Sequence, residues 1–172
     1  MKERTRPSGI LLARVGACLA LAAVLFCRDA IAATDCSVAA TGVAFGTYDT
    51  LSTIPNDSSA TVTVVCTYVS GGAQQIAYSA TLSTGSSGTY ASRQLHAGAL
   101  ALNYNLFTNT TRTSVWGNGL GGTSLATGSF TIGPGVGNGR REVIHPVYGR
   151  IPARQDVLDG LYSDTIVVTL TF

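Results

Sequence analysis

Two histidines, His96 and His145, are the side chains in this sequence whose ordinary pKa lets them move protons near neutrality. A general base needs a nucleophile or an acid within hydrogen-bond reach. The residues around both histidines show no recognisable nucleophile arrangement, and no G-x-S-x-G elbow occurs. Both therefore read as loop or strand residues, and no catalytic activity is expected. Asp156, Asp159 and Asp164 are spaced across a turn-like segment that includes Gly160. Carboxylates so spaced could hold calcium, but the oxygen-ligand pattern of an EF-hand loop is missing, and solvated acids in a turn are the better reading. GNGLGG (Gly117 to Gly122) matches G-x-G-x-x-G formally. A dinucleotide site needs a strand before that motif and a helix after it; here Trp116 leads in and TSLATGSF follows without helical periodicity, so a loop is expected. Neither a metal nor an organic cofactor is expected. Trp116, the sole tryptophan, has two readings: a contact residue on an exposed loop tip, or a cap on the core. The second is favoured because large aromatics are usually mostly buried.

The chemistry open to the cysteines depends on the compartment. Lys2, Arg4, Arg6 and Arg14 precede and enter an apolar run of 13 residues, Val15 to Cys27, and Ala30-Ile31-Ala32 offers small residues where a signal peptidase reads. The run is short of the roughly 20 residues a membrane span needs. Residues 1–32 are thus expected to be a signal peptide, with no membrane anchor after processing, and residues 33–172 one domain. Five of the 11 basic residues and two of the nine acids lie before residue 33, leaving six arginines against seven acids. With no basic patch, nucleic acid is not an expected partner. Cys18 and Cys27 leave with the leader. Cys36 and Cys66 remain, and in an oxidising compartment a disulfide between them is the default. A metal site would need more ligands at suitable spacing, and both histidines are isolated. Asn56-Asp57-Ser58 and Asn109-Thr110-Thr111 fit the glycosylation sequon, which matters only in a host that modifies it.

The elements that must position these residues are strands. Apolar residues alternate at period two: Ala60, Val62, Val64, Cys66 and Tyr68; Ile76, Tyr78, Ala80 and Leu82; Leu100, Leu102, Tyr104 and Leu106. Val143 and Val147 continue the pattern with a break expected near Pro146, and VAFGTY (Val43 to Tyr48) reads as one more strand. The last strand, Ser163 to Phe172, places Ile166, Val168, Leu170 and Phe172 on one face and runs to the final residue. Glycine-rich stretches such as SGGAQ, WGNGLGG and GPGVGNG separate the runs. Six or seven short strands with one apolar face each predict an antiparallel β-sandwich.

Taken in order, Cys36, FGTY (Phe45 to Tyr48), VTVVCTY, Arg93, LNYNLF (Leu102 to Phe107), WGNG (Trp116 to Gly119), VYGRIPARQ (Val147 to Gln155) and GLYSDTIVVTLTF cover nearly all of residues 33–172. In this order the chain resembles the spore coat protein U family, whose domains also build archaic chaperone–usher pili. The resemblance implies an immunoglobulin-like sandwich lacking its final strand. A periplasmic chaperone would lend a strand to the groove, an outer-membrane usher would take up the subunit, and a neighbouring pilus or coat subunit would replace the lent strand. Ile166, Val168, Leu170 and Phe172 would then line one side of the groove, which explains a strand that ends without a partner. Only Ala33, Thr34 and Asp35 precede Cys36 after cleavage. They reach about 10 Å, less than the roughly 17–20 Å of an ordinary strand, so the subunit is expected to accept a strand and not to donate one. The reading is a structural or adhesive subunit, exported through the periplasm to the cell surface. Its alternatives are a stand-alone secreted coat protein and a carbohydrate-binding module on the same scaffold.

Overall fold

The computed structural model describes residues 33–172, so the expected signal peptide, with Cys18 and Cys27, lies outside the described residues. Eight strands form: β1 (Ala33–Ala40), β2 (Asn56–Ser70), β3 (Gln74–Leu82), β4 (Arg93–Ala97), β5 (Leu100–Phe107), β6 (Ala126–Ile132), β7 (Arg140–Ile151) and β8 (Val168–Thr171). Five make one sheet in the order β1-β2-β7-β5-β4, three make a second in the order β6-β3-β8, and every pairing is antiparallel. This is the antiparallel sandwich the alternation predicts, of the kind immunoglobulin-like domains use. The inward residues of β2, β3 and β5 are those read from the sequence: Val62, Val64 and Cys66, Tyr78, Ala80 and Leu82, Leu102, Tyr104 and Leu106 are all buried. Their alternation works because successive strand side chains point to opposite faces.

Three local expectations are corrected. VAFGTY is not a strand. After Thr41 the chain leaves the β2 ladder, and β2 side chains take its carbonyls instead: the Ser58 hydroxyl donates to Ala44 and the Asn56 amide to Phe45 and Thr47. Gly46 then sits at φ +68°, in the left-handed region where glycine costs nothing. Pro146 does not break its strand either. It pairs with Thr61 in β2, and β5 joins β7 only from Tyr148 onward, so one flank of β7 is open where the proline lies. Finally, the regular part of the last strand is shorter than Ser163 to Phe172. Ser163 exchanges backbone hydrogen bonds with His96 of β4, in the five-stranded sheet, whereas Val168–Thr171 pair with β3 in the other. The segment therefore crosses from one sheet to the other, alternating between exposed and half-buried residues from Ser163 to Leu170.

The core lies between the sheets in two parts. The larger gathers Val62, Ala80, Leu82, Leu102, Tyr104, Leu106, Trp116, Val147 and Ile151; the smaller gathers Val64, Cys66, Tyr78 and Ile132. Leu170 of β8 packs against both. Cys36 and Cys66 face each other in the β1–β2 ladder, with Cα atoms 4.0 Å apart, and are joined by a disulfide.

Candidate functional site: an open edge of the sandwich

Segment 42–48 peels away from β2, and on the other side of the core segment 157–168 crosses between the sheets. The space between them is not filled by a strand. It holds a cleft of about 260 Å³ whose floor comes from both sheets: Val62, Leu82, Leu95, Tyr104, Leu106 and Val147. Val43 and Phe45 form one wall, Ile166 and Val168 the other. A wider cleft of about 660 Å³ shares Val43, Phe45, Leu95 and Asp164 with the first and extends it past Tyr48, Leu102 and Ile151 to Val157, Leu158 and Leu161. The two clefts make one groove along the sandwich edge. Among the described residues, β8 is paired on one side only, with β3. Leu158 and Leu161 are largely exposed at the groove's wide end.

The groove's walls are held by the sequence strings singled out above. Phe45 reaches the core because Gly149 of β7 has no side chain: a methyl group there would stand 2.7 Å from Phe45 Cζ and 2.8 Å from Val43 Cγ1. The Phe45 ring meets Tyr104 edge-on with centroids 5.9 Å apart. The Tyr48 hydroxyl donates to the Pro152 carbonyl at 2.7 Å and accepts from the Gln155 N–H at 2.8 Å. The Gln155 side chain in turn holds both backbone groups of Asn103 in β5. FGTY, LNYNLF and VYGRIPARQ are therefore three sides of one contact.

One acid, Asp164, lines both arms of the groove. Asp164 Oδ1 accepts from the Ser86 and Thr165 N–H groups at 3.0 and 2.8 Å, and Oδ2 accepts the Tyr104 hydroxyl proton at 2.7 Å. Burial alone would raise the pKa of this carboxyl, but those donors hold it below the usual carboxylate range. Tyr104 is pushed far up, first by burial and then by the neighbouring carboxylate, so it stays a donor. Gly85 is required beside this acid, because a side chain there would collide with the Asp164 carboxylate.

Arg93 was legible only as a member of a familiar string; its role was not. It is fully buried on β4 and donates to the Ser83 carbonyl twice, to the Trp116 carbonyl at 2.7 Å and to Asn105 Oδ1 at 2.7 Å. Burial pulls its pKa down, opposed by Tyr104, Tyr90 and Asp164. Of the two readings of Trp116, the structure has the core one: the ring is fully buried and its N–H donates to the Ala80 carbonyl at 2.9 Å. A tip contact through that ring is thereby corrected, since no face of it reaches solvent. Gly117–Gly122 form a loop, as expected. His96 and His145 sit on β4 and β7. His145 faces inward, with Nε2 2.8 Å from the Tyr78 hydroxyl of the opposite sheet, and burial lowers its pKa. Of the four residues expected along the groove, Ile166 and Val168 line it, Leu170 packs into the core, and Phe172 is 55% exposed beyond it.

Comparison with known proteins adds three findings. Residues 22–169 match the model of the Spore Coat Protein U domain. A curated relative, Protein U of Myxococcus xanthus, is 32% identical over 135 residues, covering 74% of this chain and 70% of that protein. Among solved structures, one described as the CsuC–CsuE chaperone–tip adhesion subunit pre-assembly complex from archaic chaperone–usher Csu pili of Acinetobacter baumannii superposes with a TM-score of 0.47 at 24% identity. The superposition covers 81% of this chain and 40% of that one, so this chain spans well under two thirds of that protein's length.

Proposed function

Because the chain belongs to the Spore Coat Protein U domain family, we propose that it is an exported structural subunit of a surface fibre or coat, completed by a strand from another protein. The observation that carries this reading is the groove. Its floor is the hydrophobic core of both sheets, its two walls lack a strand between them, and the edge of β8 beside it is free among the described residues. An extended segment laid there would pair its backbone with β8 and place alternate side chains over Val62, Leu106 and Val147. Covering about 200 Å² of apolar surface contributes roughly 5 kcal/mol at 25 cal/mol per Å², comparable with the net stability of a small domain.

The donors proposed are a periplasmic chaperone first and a neighbouring subunit afterwards, with an outer-membrane usher between them; residues 1–32 are proposed as the export signal. Ala33, Thr34 and Asp35 pair with Ser70, Tyr68 and Thr67 of β2. They are occupied within their own sheet, which supports an accepting and not a donating role for a chain cleaved before Ala33. The role proposed is structural or adhesive and not catalytic.

The test is capture. The chain is expressed in the periplasm with and without the chaperone of its own assembly system. A one-to-one complex is expected, with hydrogen exchange in β8 and residues 41–45 slowed on binding and the free chain prone to self-association. A free chain that is monomeric, very stable and never captured would end this reading.

A further inference from the structure

The groove is apolar along its floor but not throughout. Its charged lining residues are Asp159 and Asp164, and no lysine or arginine lines either arm. Asp159 lies at the wide end, whereas Asp164 lies where the two arms meet and lines both. Any segment seated along the whole groove must therefore cover Asp164.

The acid's bonding is nearly but not fully taken up. A carboxylate offers about four lone-pair sites. The Ser86 and Thr165 N–H groups use those on Oδ1, and the Tyr104 hydroxyl uses one on Oδ2. Among the described residues no second hydrogen bond reaches Oδ2; the Ser86 hydroxyl, close enough to lower the acid's pKa, gives its proton to the Gln94 carbonyl at 3.0 Å. While the groove is open, water can serve the last site on Oδ2. Once a strand covers it that option closes, and an ionised oxygen left without its donor costs more than a neutral one. Arg93 lies behind Asp164 within electrostatic reach, but four of its five N–H protons go to Ser83, Trp116 and Asn105, and no hydrogen bond joins it to Asp164. It balances the charge and does not supply the missing bond.

We propose that the segment this groove receives carries a side-chain hydrogen-bond donor facing Asp164, a hydroxyl, amide or amine, flanked by apolar side chains and with no carboxylate at that position. The inference rests on the strand-acceptor reading and specifies the chemistry of its partner. An alternating apolar strand without the donor fits the shape of the groove and leaves the acid unpaired. An acidic residue there sets two carboxylates against each other in a site of reduced dielectric. Register follows as well, because a slip of one residue turns the donor outward and a slip of two moves it off Asp164.

The experiment appends to the full chain, after Phe172 and through a flexible linker, a segment of about ten residues alternating valine and threonine, the length of a long strand. Each inward valine is replaced in turn by Ala, Ser, Asn and Asp, and the melting temperature is read. The parent segment is expected to stabilise the domain. At a single inward position Ser should exceed Ala, and Asn exceed Asp, by about 4–8 °C. In Asp164→Asn the Asn-over-Asp preference at that position should shrink to the level of the others. Stabilisation by the parent segment with no position preferring a donor would overturn this inference and leave the groove reading standing. A preference unchanged in Asp164→Asn would overturn the assignment to Asp164. Failure of every appended segment to stabilise would remove the groove reading and this inference with it. The scan is made with Asp164 intact, so poor folding of the variant does not decide the outcome.

Discussion

Arg93 is a full charge in a fully buried position, and among the described residues it makes no ion pair; three carbonyl-type acceptors from three parts of the chain satisfy it. Arg93→Met would leave the Ser83 and Trp116 carbonyls without donors and Asn105 Oδ1 with the Leu106 N–H alone, each buried carbonyl so stranded costing about 1–3 kcal/mol. A loss of about 3–5 kcal/mol is expected in denaturant unfolding, and Arg93→Lys should recover little of it because an ammonium cannot reach three acceptors in a fork. His145 carries a pH dependence. Its folded pKa is lowered by burial, so the unfolded chain binds a proton first as pH falls, and stability present above the unfolded value of about 6.5 is lost below it. Asp164 and Asp57 are also lowered, the first by its hydrogen bonds against burial and the second chiefly by Arg150. Their contribution is present above about 3.9 and is lost as pH drops further. Melting followed from pH 8 to pH 3 should show both declines, and His145→Phe should abolish the upper one alone.

At the scale of elements, the glycine in VYGRIP decides where a wall of the groove stands. Gly149→Ala would place a methyl group against Phe45 and Val43, which form that wall. Overpacking of this kind costs about 1–3 kcal/mol, and strand capture should fall further than stability does. Phe45→Leu in the same chain should restore part of both, a coupling that a double-mutant cycle reads directly. The elements legible in the sequence were those whose inward residues are apolar: β2, β3, β5, β7 and the inward face of the last segment. The others hid for identifiable reasons. The inward residue that opens β4 is Arg93, whose burial depends on acceptors far apart in sequence. β6 offers Gly128 at an inward position because the Tyr78 ring lies across it from the neighbouring strand. Residues 43–48 have strand-like composition, but the Asn56 and Ser58 side chains take the carbonyls a ladder would have used. The groove followed from family resemblance more than from periodicity, and Asp164 within it read only as a solvated acid, since its donors come from Ser86 and Tyr104.

Across the whole molecule, the disulfide ties β1 to β2 at directly opposed positions, and β1 leads into the segment that walls the groove. Replacing Cys36 and Cys66 by serine should cost about 2–4 kcal/mol in reversible unfolding. Hydrogen exchange should rise first in β1 and then in residues 41–45, while β3 and β6 remain protected. The segment from Ser163 to Thr171 has a different reach. It leaves the five-stranded sheet at His96 and enters the three-stranded one at β3. If a partner strand is seated along it, a pull on that strand runs parallel to β8 and across ladder bonds that stand perpendicular to both. Those bonds then resist together in shear instead of opening one at a time, and the load passes into both halves of the sandwich through a single continuous stretch of backbone.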